Sequence, residues 1–350
     1  MDKKSILVIF GGCSPEYSVS LESATGVLSS IDREKFDVVT VGITKAGDWF
    51  YYDGPVEAIE CDAWAGSGYC APCAVSPDRS VHELLVFGDR PRRIHIDAAF
   101  PVLHGRNGED GTVQGIFELA GIPLAGCGVL ASALCMDKAR AHALVSLAGV
   151  RVPRAIHLEP GFDHAALLES AGKIGLPLFV KPVRAGSSYG ITKVNEITKL
   201  LNAVEYAFRF DDQVIVEEAI PGFEVGCAVM GSRELVTGEI DEIELSRGFF
   251  DFTEKYNLIT SQIHVPARIS REKSDELKQT AMTIYKALYC RGFARVDMFL
   301  TPGGDIVFNE VNTIPGFTPH SRFPSMMKAV GVTFTQVITR AIELALEDAR

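Results

Sequence analysis

Short continuous apolar runs that end in glycine alternate along this chain with longer amphipathic stretches. Ile6 to Phe10 is such a run, closed by Gly11-Gly12 and followed by Ser14-Pro15-Glu16. It predicts a buried parallel strand, a glycine turn, and a helix with Ser14 as N-cap and Pro15 at its first position. Ligands of parallel sheets bind at the C-terminal strand ends, so Glu16 sits in a first helical turn facing that crevice. Phe36 to Ile43 and Ala98 to Leu103 read as further buried strands. The latter runs into His104-Gly105-Arg106-Asn107-Gly108-Glu109-Asp110-Gly111, which opens a helix from Thr112 to Ala120. The polar, glycine-rich part between Thr44 and Pro91 predicts hairpins and surface loops. After Leu124-Ala125-Gly126 a single helix is expected from about Val129 to Ala148. Strands alternating with helices place this part among doubly wound α/β domains, with a boundary near Cys127.

Val152 to Leu158, a helix around Asp163 to Lys173, and Leu176 to Val183 form a second unit. Lys181 ends its apolar strand. The small-residue loop from Arg184 to Ile191, with Ser187 and Ser188, has backbone N–H groups able to cradle phosphate. It lacks the GxxxxGK[ST] spacing, and no GxGxxG follows the first strand, which argues against a P-loop enzyme and a dinucleotide dehydrogenase. Gln213 to Ile220 is a strand ending in Glu217 and Glu218, with Glu224 soon after. Residues 246–262 are aromatic without clean periodicity, the mark of a functional lid. Arg271 to Leu288 carries a stripe of Leu277, Ala281, Ile284 and Leu288, and a helix from Phe334 to Leu346 closes the chain.

The densest chemistry lies between Arg295 and Arg322. Two apolar runs flank Thr301-Pro302-Gly303-Gly304, a hairpin signal. A four-residue turn pairs Leu300 with Asp305 and puts Asp297 opposite Phe308 and Arg295 opposite Glu310. Alternation then gathers Arg295, Asp297, Glu310 and Asn312 on one face. Phe299, Ile306 and Phe308, placed on that face by the same count, argue against a merely solvated surface. Two carboxylates and an amide oxygen on a rigid hairpin are hard ligands for Mg2+, which completes its shell with phosphate and water. The pattern asks for a nucleotide.

At 350 residues, 47% of them hydrophobic and 23% charged, the chain is long enough for two or three globular domains. A net charge of -11 opposes a nucleic-acid or anionic-membrane partner, since such binding relies on Lys and Arg clusters. The apolar run after the first lysines is too short for a signal peptide, and none approaches a membrane span. The eight cysteines mostly lie inside apolar runs, as reduced buried thiols do, which points to the cytoplasm. Cys70-Ala-Pro-Cys73 has metal or redox spacing but no second pair and is read as a loop feature.

With GGCSPEYSVSLES, LHGRNGEDGTVQG, MDKARAH, FVKPVRAGSSYGI, EKY, RVDMF and FNEVNTIPGFTPHSR in one order, the sequence resembles the ATP-grasp D-alanine:D-alanine ligase family over nearly its whole length. Within that family it looks most like the vancomycin-resistance ligases of the VanC and VanG type, which make D-alanyl-D-serine. The resemblance implies an α/β chain with a doubly wound substrate domain (1–127), a central ATP-grasp subdomain (128–216) and a C-terminal ATP-grasp domain (217–350) with the lid. It implies joining of two D-amino acids through an acyl phosphate, with ATP and two Mg2+ ions, for which Mn2+ substitutes, in a cytoplasmic homodimer.

The resemblance further assigns Asp297, Glu310 and Asn312 to the metals, and Arg295 with the Gly316 N–H to the oxyanion. Lys138, Lys181, Ser187, Ser188 and Lys255 go to the phosphates. Glu217 and Glu224 go to adenine or ribose beside the hinge Glu218-Ala219-Ile220. Glu16, tied to Ser187 and Tyr256, takes the first D-alanine's ammonium, near His104. Ser321 and Arg322 take the second substrate's carboxylate, and Phe250 with Arg322 borders that substrate, D-serine. Ala185 and Pro319 depart from the family pattern, the former where glutamate is common and the latter where serine is expected. Rival readings are a D-alanine:D-alanine ligase, a D-alanine:D-lactate ligase, an acyl kinase and a nucleotide-binding module without turnover. A hydroxy-acid ligase would favour histidine in the Glu254-Lys255-Tyr256 run. The acyl kinase needs no Ser321-Arg322 pair, and the intact Asp297, Glu310, Asn312 and Arg295 set opposes the silent module.

Overall fold

The first apolar run forms β1 (Lys4–Gly11), whose residues from Ile6 to Phe10 have no exposed surface. It lies between two parallel partners, β2 (Phe36–Ile43) and β7 (Ala98–Leu103). Ile6, Val8 and Phe10 pack with Leu21, Ala24 and Val27 of the helix Tyr17–Ser30. Leu7 and Ile9 pack on the opposite face with Val113, Phe117 and Ala120 of the helix Thr112–Ala120. A strand covered on both faces must be apolar at every position, which is why the sequence shows a run rather than an alternation. The computed structural model describes residues 3–186, 189–245 and 261–348.

The polar segment after β2 extends this sheet with β3 (Trp49–Tyr52), β4 (Cys70–Val75), β5 (Glu83–Val86) and β6 (Arg92–His95), giving seven strands in the order β6-β5-β4-β3-β2-β1-β7. Cys70 and Cys73 therefore belong to a strand, not a loop, and both are free thiols. Leu124 makes only an isolated bridge to Ala99. The single helix expected next is two, Val129–Met136 and Lys138–Leu147. Asp137 breaks it, because its side chain accepts from the Arg140 N–H as an N-cap. The break leaves Lys138 at the start of a new helix.

A four-stranded sheet comes next, ordered β10-β9-β11-β8 and made of β8 (Ala155–Leu158), β9 (Leu178–Pro182), β10 (Thr192–Val194) and β11 (Val214–Glu218). The last sheet holds β12 (Phe223–Met230), β13 (Val236–Thr237), β14 (Asp241–Leu245), β15 (Ser261–His264), β16 (Phe293–Leu300) and β17 (Ile306–Asn312). Its inner face, with Ala294, Val296 and Met298, rests on Leu277, Ala281 and Ile284 of the helix Arg271–Ala287. The closing helix, Phe334–Asp348, returns Val337, Ile338 and Ala341 to the core of the first sheet. Among the described residues no single helix is long and apolar enough to cross a membrane.

Candidate active site

The β16–β17 hairpin has a different register from the one the turn predicts. Asp297 faces Glu310 and Arg295 faces Asn312, while Met298 faces Phe308, with a shift between Asp297 and Met298. The ladder leaves Asn309 as one extra residue on β17, a bulge that bends the strand and re-aims the residues after it. Phe308 consequently lies in the core with Met298, and so does Val311, while Glu310 and Asn312 point to the cleft. The expected grouping of Arg295, Asp297, Glu310 and Asn312 holds; the expected placing of Phe308 beside them does not. The turn also closes one residue later, with Leu300 opposite Ile306 and the Thr301 N–H on the Asp305 carbonyl at 3.0 Å.

Asp297 is the centre of a buried ionic network. Arg295 donates to it through Nε at 2.8 Å and Nη2 at 2.7 Å, and the Asn312 amide donates at 2.8 Å. Arg322 Nη2 lies 3.4 Å from its other side. Arg322 also donates to Asp241 through Nε (2.6 Å) and Nη2 (2.8 Å) and to Glu224 through Nη1 (3.1 Å). Burial alone would lower the affinity of both guanidinium groups for their protons, but the carboxylates reverse this and raise it. Arg322, expected to face a substrate carboxylate, thus has the carboxylates of Asp241, Glu224 and Asp297 around its guanidinium and lines the first cavity. Ser321 lies beside it, its hydroxyl 2.8 Å from that of Thr318 and close to Gly316.

Two cavities meet at this network. The first, about 330 Å³, is lined by Glu16, His104, Arg295, Asn312, Gly316, Ser321 and Arg322. Ser14 does not cap the first helix as expected. Its hydroxyl donates to the His104 carbonyl at 2.6 Å, and Glu16 itself occupies the cap position. This places the Glu16 carboxylate against Gly105, where a Cβ would collide with it and where φ is +70°. His104 donates from Nδ1 to the Ile314 carbonyl (3.0 Å) and accepts at Nε2 from Ser23 (3.2 Å), whose oxygen accepts from the Phe317 N–H. Burial first, and then Arg295, bring its pKa down to about 4. Glu109, to which the sequence assigned no role, accepts from the N–H groups of Gly105 and Ile314. Burial and the neighbouring Glu16 charge push its pKa above the usual carboxylate range.

The second cavity, about 490 Å³, is more apolar, with Phe179, Ile191, Ala219, Ile220 and Phe299 in its walls. At its floor Lys181 Nζ meets Glu217 Oε2 at 2.7 Å, a diagonal pair across β9 and β11. Burial works against the Glu217 charge, but Lys181 and then His142 outweigh it and lower the pKa. Glu218 also borders the cavity, and its carboxylate accepts from Arg154 Nε at 2.8 Å. Glu224 lines this cavity as well as bonding Arg322. Lys138, Ala185 and Glu310 line both cavities, and Lys138 Nζ stands 3.6 Å from Glu310 Oε2 and 2.9 Å from the Ala185 carbonyl. The shared wall thus carries a cation and an anion at the point where a molecule in one cavity would touch a molecule in the other. Ser187, Ser188, Phe250, Lys255 and Tyr256, with nearly all of the expected lid, lie outside the described residues.

Matches to family models agree with this bipartite cleft. Residues 5–127 match the model described as D-ala D-ala ligase N-terminus, and residues 145–343 match D-ala D-ala ligase C-terminus. The chain belongs to the D-alanine–D-alanine ligase family. It is an ATP-dependent ligase with the ATP-grasp fold of that family. Among solved structures it is similar to the VanG D-Ala:D-Ser ligase from Enterococcus faecalis, at 56% identity and a TM-score of 0.92 over 98% of this chain and 100% of that one. It is 45% identical to the vancomycin B-type resistance protein VanB of Enterococcus faecalis, over 99% of this chain and 100% of VanB. It is 41% identical to a D-alanine–D-alanine ligase of Caldicellulosiruptor bescii, over 100% of this chain and 97% of that protein.

For this ligase family ATP and a divalent metal are implied, and the donors present fit a hard cation. Glu310 and Asn312 open on the cleft with Asp297 behind them, an all-oxygen set of two carboxylates and an amide. Glu109, Asp241 and His142 were missed in the sequence. His142 had one signal, since it lies four residues after Lys138 on the same helix.

Proposed function

We propose that this ligase joins D-alanine to D-serine through a D-alanyl phosphate, in the cytoplasm, and so supplies an altered peptidoglycan precursor that confers vancomycin resistance. The observation that carries the D-serine assignment is Arg322 in the wall of the amino-acid cavity, paired from behind with the fully buried Asp241. A methyl group placed against such a pair gains nothing, whereas a hydroxyl can hydrogen-bond to it. Sites built to bond a hydroxyl discriminate strongly against analogues without one.

In this reading ATP lies in the second cavity with its base near Glu217 and the hinge from Glu218 to Ile220. Lys138 and Lys181, with Ser187, Ser188 and the lid's Lys255, hold the phosphates. Asp297, Glu310 and Asn312 would hold two Mg2+ ions, or Mn2+ in their place, which supply charge neutralisation during phosphoryl transfer. Glu16, with Ser187 and Tyr256, binds the ammonium of the first D-alanine, so its carboxylate faces the shared wall. Phosphorylation there makes the acyl carbon electrophilic. The amine of D-serine, with its carboxylate near Ser321 and its side chain toward Arg322 and Phe250, attacks that carbon, and phosphate leaves. Arg295 and the Gly316 N–H stabilise the oxyanion. Closure of the lid excludes water, which would otherwise hydrolyse the acyl phosphate.

The test is product analysis after incubation with ATP, Mg2+, D-alanine and equimolar D-serine or D-lactate. D-alanyl-D-serine as the main product is expected. Equal or better formation of D-alanyl-D-alanine would leave an ordinary D-alanine–D-alanine ligase, and preferential ester formation with D-lactate would refute both.

A further inference from the structure

The imidazole of His142 lies behind the nucleotide cavity, between Glu217 on its floor and the backbone of Asn309. It is 5% exposed, with its ring edge-on to Phe308 at 5.4 Å. Nε2 lies 3.1 Å from the Asn309 carbonyl, which only accepts, so the proton is on Nε2. Nδ1, left as an acceptor, lies 3.6 Å from Glu217 Oε1. Both atoms are buried without a hydrogen-bond partner. Buried polar atoms are almost always paired, so two facing acceptors with no donor between them make an unfavourable contact. Burial, together with Lys181 and Lys138, keeps the ring below its ordinary pKa despite the pull of Glu217 and the Asn309 carbonyl.

Asn309 is the bulged residue, and the next residue is Glu310. One nitrogen of His142 therefore holds the backbone that turns Glu310 into the cleft, and the other faces the carboxylate at the floor of the base cavity. We propose that His142 is a positioning residue that couples nucleotide binding at Glu217 to metal binding at Glu310. The proposal rests on the nucleotide site described above. A donor on the base that draws Glu217 toward itself relieves the opposed acceptors and lets the ring settle on the Asn309 carbonyl. The bulge is thereby fixed in the form that presents Glu310 to the metal. Coupling of this kind is reciprocal, so Mg2+ must tighten the nucleotide by the same route.

The experiment is calorimetric titration of ADP into the full chain with and without MgCl2, for the wild type, His142→Leu and His142→Gln. Leucine keeps apolar bulk against Phe308 but loses both nitrogens, while the glutamine amide can still reach the Asn309 carbonyl. Mg2+ is expected to tighten ADP in the wild type. The tightening factor should fall at least about fivefold in His142→Leu and stay within about twofold in His142→Gln. A wild-type factor in His142→Leu, or an equal loss in both variants, overturns the coupling alone. Failure of ADP to bind the wild type under either condition overturns the nucleotide site and the coupling with it. Should His142→Leu show no cooperative melting, Glu217→Gln with His142 intact replaces it. That variant should also lose at least about threefold of the factor, and an unchanged factor there overturns the coupling.

Discussion

Arg322 and Asp241 form a two-pronged pair, Nε to Oδ2 at 2.6 Å and Nη2 to Oδ1 at 2.8 Å, with 8% and 0% of the two residues exposed. The pair lies flat on β12 because Gly226 has no side chain; a Cβ there would come within 2.5 Å of Nη2. The Gly226 N–H completes the carboxylate's bonding at 2.7 Å. Arg322→Met removes the cation from among Asp241, Glu224 and Asp297. Breaking one partner out of a buried pair costs about 3–5 kcal/mol. The expected outcome is a lower denaturant midpoint and a loss of D-serine preference larger than the loss of D-alanine use, read by competition between the two amino acids. Selectivity equal to wild type in the folded variant would remove Arg322 from the specificity site.

Glu310 borders both cavities and stands near Lys138, so its charge serves the junction rather than the fold. Glu310→Gln keeps the shape and removes one ligand charge. ATP-dependent dipeptide formation should vanish while the melting temperature stays put and ADP still binds without Mg2+. Wild-type turnover would show that the hairpin face is not the metal site.

Arg295 gives Asp297 its two closest guanidinium contacts while lining the first cavity. If it stabilises the developing oxyanion, Arg295→Ala lowers the turnover rate at least about a hundredfold, the scale for losing one such donor. Arg295→Lys should restore little, because a lysine cannot reproduce the planar fork that holds Asp297. A defect confined to the ATP KM would place Arg295 on the nucleotide instead.

Much of the cleft was legible because its residues cluster at strand ends and in one hairpin. Phe36–Ile43, Ala98–Leu103 and Thr112–Ala120 form with the expected bounds, since buried strands and a glycine-opened helix leave local marks. The hairpin register was not legible. Nothing local distinguishes a bulge at Asn309 from an unbroken ladder; the choice is made by the core, which takes Phe308 and Val311 on one side of β17. Asp241 escaped for a similar reason, because its partner Arg322 is far along the chain and the contact exists only once β12 and β14 pair. The break at Asp137 was readable in principle, as an aspartate followed by a new amphipathic run is a cap signal. His104, expected near the first substrate, lines the first cavity, and both of its ring nitrogens are held by the protein.

That bonding gives a pH dependence with a definite sign. His104 is neutral in the fold, with its pKa brought down to about 4 by burial and by Arg295, while an unfolded histidine titrates near about 6.5. Between these values the unfolded chain takes up a proton that the folded one refuses. The stability contribution of the neutral ring is therefore complete above about pH 6.5 and is lost as the pH falls toward 4, by up to about 3 kcal/mol in all. Glu109 acts in the opposite direction, because its raised pKa lets the folded state bind a proton first as the pH falls. The sum of the two conceals either, so the measurement is a difference. His104→Asn keeps a donor for the Ile314 carbonyl and removes the titration. Denaturant unfolding of wild type and variant at about pH 7 and about pH 4.5 should show the wild-type advantage shrinking by more than about 2 kcal/mol over that interval. An advantage independent of pH would mean that the ring accepts its proton without disturbing Ser23 and Ile314, and that the burial of His104 does not hold it neutral.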